Sequence, residues 1–439
     1  MTATSPIKGL TGWIAHRLFF NYWSLAVSAV VLAVPIAYGV LWLDRNGGTA
    51  WLLAHDLSPI ATADTAKDFA GVASGVNAAF VTLYFSITLI VLSMAAGNLG
   101  VRLIDRWIQR PLTRISLAGL SFSLVVSLIA MMSIDAEADL PDTPLLLVGL
   151  VLALQVVNMA MLSVSLHHLG RTMFVDTSIQ RIFADAKGRQ LDLVPGKKEE
   201  IDWAWTMRAT REGYIEGVDL ERLRDLLATH PGRVRIEVAP GAHVLQGEAL
   251  LRTEEPVAQE AKLHRTIPIG DYRSDSQGTV FRIRLLVEIG ARALSPAVND
   301  FYTAITCADR LAAVMDAQAD LWIDAESEPL YAPAPRFVLP GQDYRGLFED
   351  PLNAFRQAAC EYPSVTIRMV DNYRRLAAGF VAAGRPGELV SFIDKLAHEL
   401  ADHAIKIDAY GRDIDDIKSA YAKLCDLLDE HGIARQEAA

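Results

Sequence analysis

Hydrophobic residues along this chain gather in four uncharged stretches, Phe19 to Leu43, Ala70 to Ala96, Ile115 to Ile134 and Leu145 to Leu166. Each supplies the roughly 20 apolar residues that a helix needs to cross a bilayer. The first far exceeds the ~7–15 residue apolar core of a secretory signal and is expected to stay as an anchor. Beyond residue 175 the pattern changes. A short strand is expected at Tyr214 to Val218, then a helix opening at Asp219 with Leu220, Leu223, Leu226 and Leu227 at helical spacing. Two strands should follow, around Val234 to Val238 and Val244 to Leu251. After residue 280 the periodicity is helical, with helices expected at Val280 to Leu294, Asp300 to Met315, Leu352 to Glu361, Val365 to Ala383, Glu388 to Tyr410 and Ile414 to Glu430. The proline-rich stretch Pro329 to Pro340 reads as an extended linker or surface loop.

The expected fold is therefore an α-helical membrane protein with four transmembrane helices plus a cytosolic α+β region. Residues 1–175 would form the membrane domain, 176–270 a small β-rich, sandwich-like domain, and 271–439 a mainly helical domain. Between the two later strands, Pro240 and Gly241 to Gly247 and Glu248 carry glycines that punctuate tight turns, as in the β-sandwich of biotinyl and lipoyl carriers. The lysine that carriers modify has no counterpart, so a structural sandwich is expected.

Charge in the connections alternates in sign. Lys8 and Arg17 precede the first span, Arg102, Arg106, Arg110 and Arg114 lie between the second and third, and Arg171 and Arg181 follow the fourth. Asp44, Asp56, Asp64 and Asp68 mark one of the other connections, and Asp135, Glu137, Asp139 and Asp142 mark the second. The positive-inside bias then puts both termini and the middle connection on the cytoplasmic side. Trp23, Trp42, Trp51 and Trp107 fall near span ends, where amphipathic rings sit at an interface. Arg102, Arg106 and Arg110, spaced by four beside Leu103 and Trp107, would place an amphipathic turn on lipid headgroups. The net charge of −11 argues against nucleic acid as a partner. The three cysteines, Cys307, Cys360 and Cys425, fall in the expected cytosolic region and lack metal-ligand spacing.

Within the second span, Gly75, Thr82, Ser86, Ser93 and Gly97 are spaced seven, four, seven and four. At ~100° per residue they share a stripe of roughly 60°. Such a face either packs closely on another helix or lines a pore where several protomers meet. Asn77, Tyr84 and Thr88 lie on nearly the opposite side. In the third span Ser116, Gly119, Ser123 and Ser127 provide small residues for helix docking, and Gln155 and Asn158 of the fourth should face the bundle interior. Pro35 should kink the first. No Asp, Glu, Lys or Arg lies within the four stretches, which disfavours proton-coupled pumps and voltage sensors.

The break between the first two later helices reads Ala293-Leu294-Ser295-Pro296-Ala297-Val298-Asn299-Asp300-Phe301-Tyr302-Thr303-Ala304. Pro296 disfavours helical geometry at Ser295, and Asn299 or Asp300 can cap the helix that follows. A helix–helix corner is one reading. An ion or anion site at the opening of the second helix, with Arg284 and Arg292 nearby, is the other. His398 and His403 lie five apart, about 140° around a helix, which does not suit a zinc-protease helix. No Walker loop, dinucleotide fingerprint, nucleophile elbow or kinase motif occurs.

This serine-proline, asparagine-aspartate junction with its threonine-alanine helix start resembles the bacterial membrane family known as domain of unknown function 2254. Phe85-Ser86-Ile87-Thr88-Leu89 with Leu92-Ser93, Gly213-Tyr214-Ile215 with Val218-Asp219, and the Pro240 to Leu250 turn carry the same resemblance over most of the chain. Arg273, Gln277 and Arg284 also fall where that family places similar residues. The chain departs from it at Phe301, where the family has proline, at Gly100-Val101-Arg102, where it has serine-proline-arginine, and at Gly278, where it has aspartate. The resemblance implies a four-helix membrane part with a large cytosolic domain in a bacterial inner membrane, and hands over no activity.

Taken together, these features predict an oligomeric channel or transport-like protein in contact with the lipid bilayer, with an inorganic ion as its ligand and a cytosolic region that senses or assembles. The competing reading is a non-conducting scaffold or signalling protein. No cofactor, metal site or enzymatic activity is expected.

Overall fold

The computed structural model describes residues 22–99, 111–172, 175–188, 191–257, 260–273, 277–407 and 410–434. Contacts divide the chain into two units, one built from the long apolar helices and one running from Val175 onward.

Helices α1 (Tyr22–Leu43), α2 (Ala63–Leu99), α3 (Pro111–Ser133) and α4 (Leu145–Thr172) are the four elements long and apolar enough to cross a membrane among the described residues. Helix α2 opens seven residues before its apolar stretch. Asp64, Lys67 and Asp68 are barred from hydrocarbon, not from helix, and the Thr62 hydroxyl accepts the Thr65 amide at 3.2 Å to cap the first turn. One core cluster joins Ala33, Ala37 and Leu41 of α1, Ala66, Ala70 and Ala73 of α2, Val126 and Ala130 of α3, and Leu147, Val148 and Val151 of α4. Alanine at these positions lets backbones approach closely, which matters in lipid because burial of apolar surface gives no advantage over contact with acyl chains. A second cluster gathers Tyr84, Val91, Leu117, Leu120, Leu162 and Leu169.

The later unit begins with α5 (Val175–Ala186), whose Ile179 and Ile182 are buried. Strands β1 (Leu193–Lys197), β2 (Trp205–Arg208), β3 (Gly213–Ile215), β4 (Val234–Ile236), β5 (His243–Val244), β6 (Ala249–Thr253), β7 (Ile269–Gly270), β8 (Ser327–Tyr331) and β9 (Phe337–Val338) form two sheets. The larger has the order β1-β8-β9-β4-β6-β2, antiparallel except for β9 beside β4. The smaller, β5-β3-β7, is antiparallel. Helix α6 (Leu220–Leu226) starts at the expected Asp219, whose carboxylate accepts the Arg222 amide.

Strand β9 and the latter part of β8 come from the proline-rich stretch Pro329 to Pro340, which corrects its reading as a linker or loop. Pro329 stands opposite Pro195 in register, so the two residues without amide hydrogens share one rung and the ladder continues on either side. The larger sheet thus draws strands from both sides of residue 270.

Helices α7 (Thr279–Ala293), α8 (Phe301–Ala317), α9 (Tyr344–Ala359), α10 (Pro363–Ala382), α11 (Gly387–Ile407) and α12 (Gly411–Glu430) complete the unit. Helix α7 is central, with Phe281, Leu285, Leu286 and Ile289 buried. Gly290 lets α8 and α9 close on it. A Cβ there would fall 2.8 Å from Phe355 and 3.1 Å from Cys307. Helix α9 starts earlier than its periodicity suggested, with Pro351 inside it and Asp343 capping the Gly346 amide.

Candidate functional site

The stripe of the second span faces away from the bundle. Gly75, Thr82, Ser86, Ser93 and Gly97 are all exposed on the protomer, and a Cβ at Gly75 or Gly97 would meet nothing within 4 Å. The Thr82 hydroxyl donates to the Ala78 carbonyl at 2.9 Å, which satisfies it within its own helix. Packing inside the protomer therefore does not use this face.

The opposite side of α2 is the bonded one. Asn77 Nδ2 donates to Ser127 Oγ at 3.2 Å, and Asn158 Nδ2 donates to Asn77 Oδ1 at 3.1 Å, with both asparagines 1% exposed. Gln155 donates to the Ala73 carbonyl and the Tyr84 hydroxyl to the Thr113 carbonyl. Ser116 and Ser165 share a hydrogen bond of 2.5 Å, and Ser123 and Ser127 are buried. These groups would be costly in hydrocarbon alone, and each finds a partner on a neighbouring helix or its own. Thr88 Oγ1 is buried without a hydrogen-bond partner.

A carboxylate the sequence suggested was a loop charge is buried as well. Asp44, 7% exposed, follows α1 and accepts the Leu146 and Leu147 amides that open α4, and Thr49 Oγ1 donates to it at 2.8 Å. Nothing in the local pattern around Asp44 distinguishes it from Asp56, which is exposed. Arg102, Arg106 and Arg110 lie outside the described residues.

In the later unit, the junction residues form a corner. The Asn299 amide donates to the Ser295 carbonyl, the Asp300 amide to the Ala293 carbonyl, and Tyr362 Oη to the Leu294 carbonyl at 2.7 Å. Asn299 adopts φ 49°, a left-handed value that Asn tolerates better than most residues. The Asp300 carboxylate accepts both the Thr303 amide at 3.1 Å and the Thr303 hydroxyl at 2.6 Å. Both oxygens are thus engaged in capping α8, which accounts for Ser295, Pro296, Asn299 and Asp300 as a structural junction.

Arg273 and Arg284 belong to the other end of α7. Arg284 Nη1 donates to the Gly241 carbonyl at 3.3 Å, and the Arg273 guanidinium lies 5.2 Å from the centre of the Tyr214 ring. Tyr214 in turn packs edge-on against His243, whose Nε2 is 2.9 Å from Glu212 Oε1. The expected glycine turn is present, with Gly241 and Gly247 at φ 82° and 88°. Gly278 adopts φ 67° at the start of α7 and offers no side-chain cap. The sequence singled out the Pro240 turn and Arg284 separately. Their meeting at Gly241 is a tertiary contact that no local pattern announces.

Elsewhere, Asp309 takes a bidentate pair of hydrogen bonds from Arg368 at 2.8 and 2.9 Å and one from Asn372 at 2.8 Å. His403 Nδ1 lies 2.9 Å from Arg356, and the His398 ring lies 5.6 Å from the Tyr421 ring at a tilt of 50°. Among the described residues no group of three or more His, Cys, Asp or Glu side chains is placed to hold a metal ion.

A family model described as "Predicted membrane protein (DUF2254)" matches residues 20–375. An uncharacterized protein of Mycobacterium bovis is 28% identical over 275 residues, which is 57% of this chain and 52% of the relative. Uncharacterized proteins of Mycobacterium tuberculosis strains H37Rv and CDC 1551 match at 28% and 27% identity over the same shares. The chain spans about half the length of these curated relatives. No solved structure matches.

Proposed function

The chain belongs to the DUF2254 family of predicted membrane proteins, and from that premise we propose that it is a multi-pass protein of a bacterial inner membrane that assembles into an oligomeric, cation-permeable channel. In this reading both termini and the later unit are cytoplasmic, and the later unit regulates or stabilises the assembly. The observation that carries it is the face of α2 bearing Gly75, Thr82, Ser86, Ser93 and Gly97, exposed on the protomer while the polar groups behind it are bonded inward. Small and hydroxylated residues aligned on an outer surface suit close contact between protomers or a wet axis between them, and a conduction path of this kind needs no ionisable group. Acidic connections such as those with Asp56 and Asp139 would concentrate cations at its mouth.

Purified protein in planar bilayers tests this reading. Single-channel currents are expected, changed in conductance by Ser86→Leu. Silence across varied ions and pH, together with unchanged assembly of Ser86→Leu, would instead favour a non-conducting scaffold. That second reading is supported by Asn77, Ser127 and Asn158, which are buried and satisfy one another inside the protomer. Topology is read separately, from maleimide labelling of a cysteine placed at Tyr302, which should be protected in intact cells. An enzymatic step forms no part of the proposal.

A further inference from the structure

We propose that Arg356 and His403 form a proton-sensitive bridge between α9 and α11, closed while the His403 ring is neutral and opened when the ring takes up a proton. The inference concerns the later unit alone and does not depend on the membrane reading. Arg356 Nη1 lies 2.9 Å from His403 Nδ1. A guanidinium carries five donors and no acceptor, and it keeps its charge in proteins. The contact therefore requires a lone pair on Nδ1, which leaves the ring neutral with its single proton on Nε2. Proton uptake turns Nδ1 into a donor that faces a donor and sets two cations at hydrogen-bond distance. The bond that joins the helices becomes a repulsion.

The surroundings supply a second partner for the charged ring. Asn353, Arg356, Glu399, Asp402, His403 and Lys406 line an open pocket of about 430 Å³, through which solvent reaches the imidazole. Glu399 stands four residues before His403 on α11, the spacing at which a carboxylate attracts a following cation, and it makes no ion pair among the described residues. Asp402 is held by Lys406 at 2.6 Å, and the other contact of Arg356 is its Nε at 3.5 Å from Asn353 Oδ1. From α10 the titratable group is Tyr373, which senses both Glu399 and Arg356; burial pushes its phenol well above the ordinary value, so it stays neutral. From α12, Tyr421 bonds to Asp394 and lies beside His398, which is five residues before His403 and so on another side of the helix. The unpaired charges at the ring are thus Arg356 across the gap and Glu399 on its own helix, of opposite sign. A neutral ring accepts from the first, and a charged ring turns to the second. Lys395 and Glu349, 2.7 Å apart, tie the same two helices about two turns earlier, which confines the opening to the pocket.

The test uses the full chain in detergent micelles. Nitrogen-15 labelling of histidine reads protonation and tautomer directly, with the His403 resonances assigned by their absence from His403→Gln. A neutral ring protonated on Nε2 is expected at about pH 8, and a charged ring at about pH 5, the span over which histidine ordinarily titrates. Unfolding temperatures of the parent, Arg356→Ala, His403→Ala and the double variant then measure the bridge. The two losses should be non-additive at about pH 8 and additive at about pH 5, which lies above ordinary carboxylate values. In His403→Gln, whose amide oxygen accepts at either pH, the loss caused by Arg356→Ala should be the same at both. If Arg356→Ala does not unfold cooperatively, Arg356→Gln takes its place, and the nitrogen-15 readout stands without either variant. A ring protonated on Nδ1 or charged at about pH 8, a coupling alike at both pH values, or a coupling that falls equally in His403→Gln overturns the proposal.

Discussion

Asp44 caps a helix that begins 101 residues further on. Its Oδ1 accepts the Leu146 amide at 2.9 Å and its Oδ2 the Leu147 amide at 3.1 Å. The amino ends of helices leave amides unsatisfied, and the usual remedy is a local side chain. Here the remedy comes from the end of α1, so one carboxylate ties the first and last spans together. Thr49 reinforces the tie, donating to Asp44 and to the Thr143 carbonyl at 3.0 Å.

Asp44→Ala removes both acceptors at a buried site and is expected to destabilise the bundle by about 2 kcal/mol, near the upper range for a lost cap. Unfolding of the detergent-solubilised protein measures it. Asp44→Asn should recover part of the loss, since one oxygen remains. An Asp44→Ala protein as stable as the parent would show that the cap is dispensable.

Asn77 is the node of the interior polar chain, donating to Ser127 and accepting from Asn158. Replacement by Leu strands the Asn158 amide, and interhelical bonds of this kind contribute roughly 0.6–2 kcal/mol. A loss in that range is expected for Asn77→Leu. The double variant with Asn158→Leu should be less destabilised than the sum of the singles, as a double-mutant cycle would reveal.

At the corner between α7 and α8, Asp300→Ala should cost about 1 kcal/mol, the typical worth of an N-cap, and Asp300→Asn should cost less. Because both carboxylate oxygens already accept from Thr303, adding divalent cations should not change the stability of either variant. A cation-dependent rise seen only in the parent would reopen the ion reading of this junction.

The Asp309 carboxyl is pulled upward by burial, but the hydrogen bonds from Arg368 and Asn372 and the Arg368 charge outweigh that and hold it below the ordinary carboxylate value. With the folded value below the unfolded one, the contribution is present above about pH 4 and is lost as pH falls through the folded value. Asp309→Asn should lower the unfolding temperature at neutral pH by a few degrees. The gap between variant and parent should narrow as pH is taken from about 5 to about 3. A gap that does not vary with pH would rule out this pair as the source.

The four spans were legible because hydrocarbon admits no charge, and that constraint is written into the residues themselves. Most later helices were legible from their spacing, and Asp219 and Asp300 marked their starts correctly. Strands β1 and β8 were not, because each is short and carries a proline that reads as a breaker until Pro195 and Pro329 are seen on one rung. Within the candidate sites, helical geometry separated the two sides of α2, yet only the packed helices reveal that Asn77 turns inward and Ser86 outward. Asp44 was hidden for a related reason, since its burial depends on a segment far away in the chain.

The pairing of β1 with β8 also sets an order of events during synthesis. Lys197 leaves the ribosome long before Ser327, its partner in register, and β9, which links β8 to β4, is made later still. The larger sheet therefore cannot close until most of the polypeptide has been translated, whereas helices α1 to α4 are by then available for insertion. Nascent chains halted before Phe337 should remain open to protease in the region after Val175 and become resistant only once that strand has emerged.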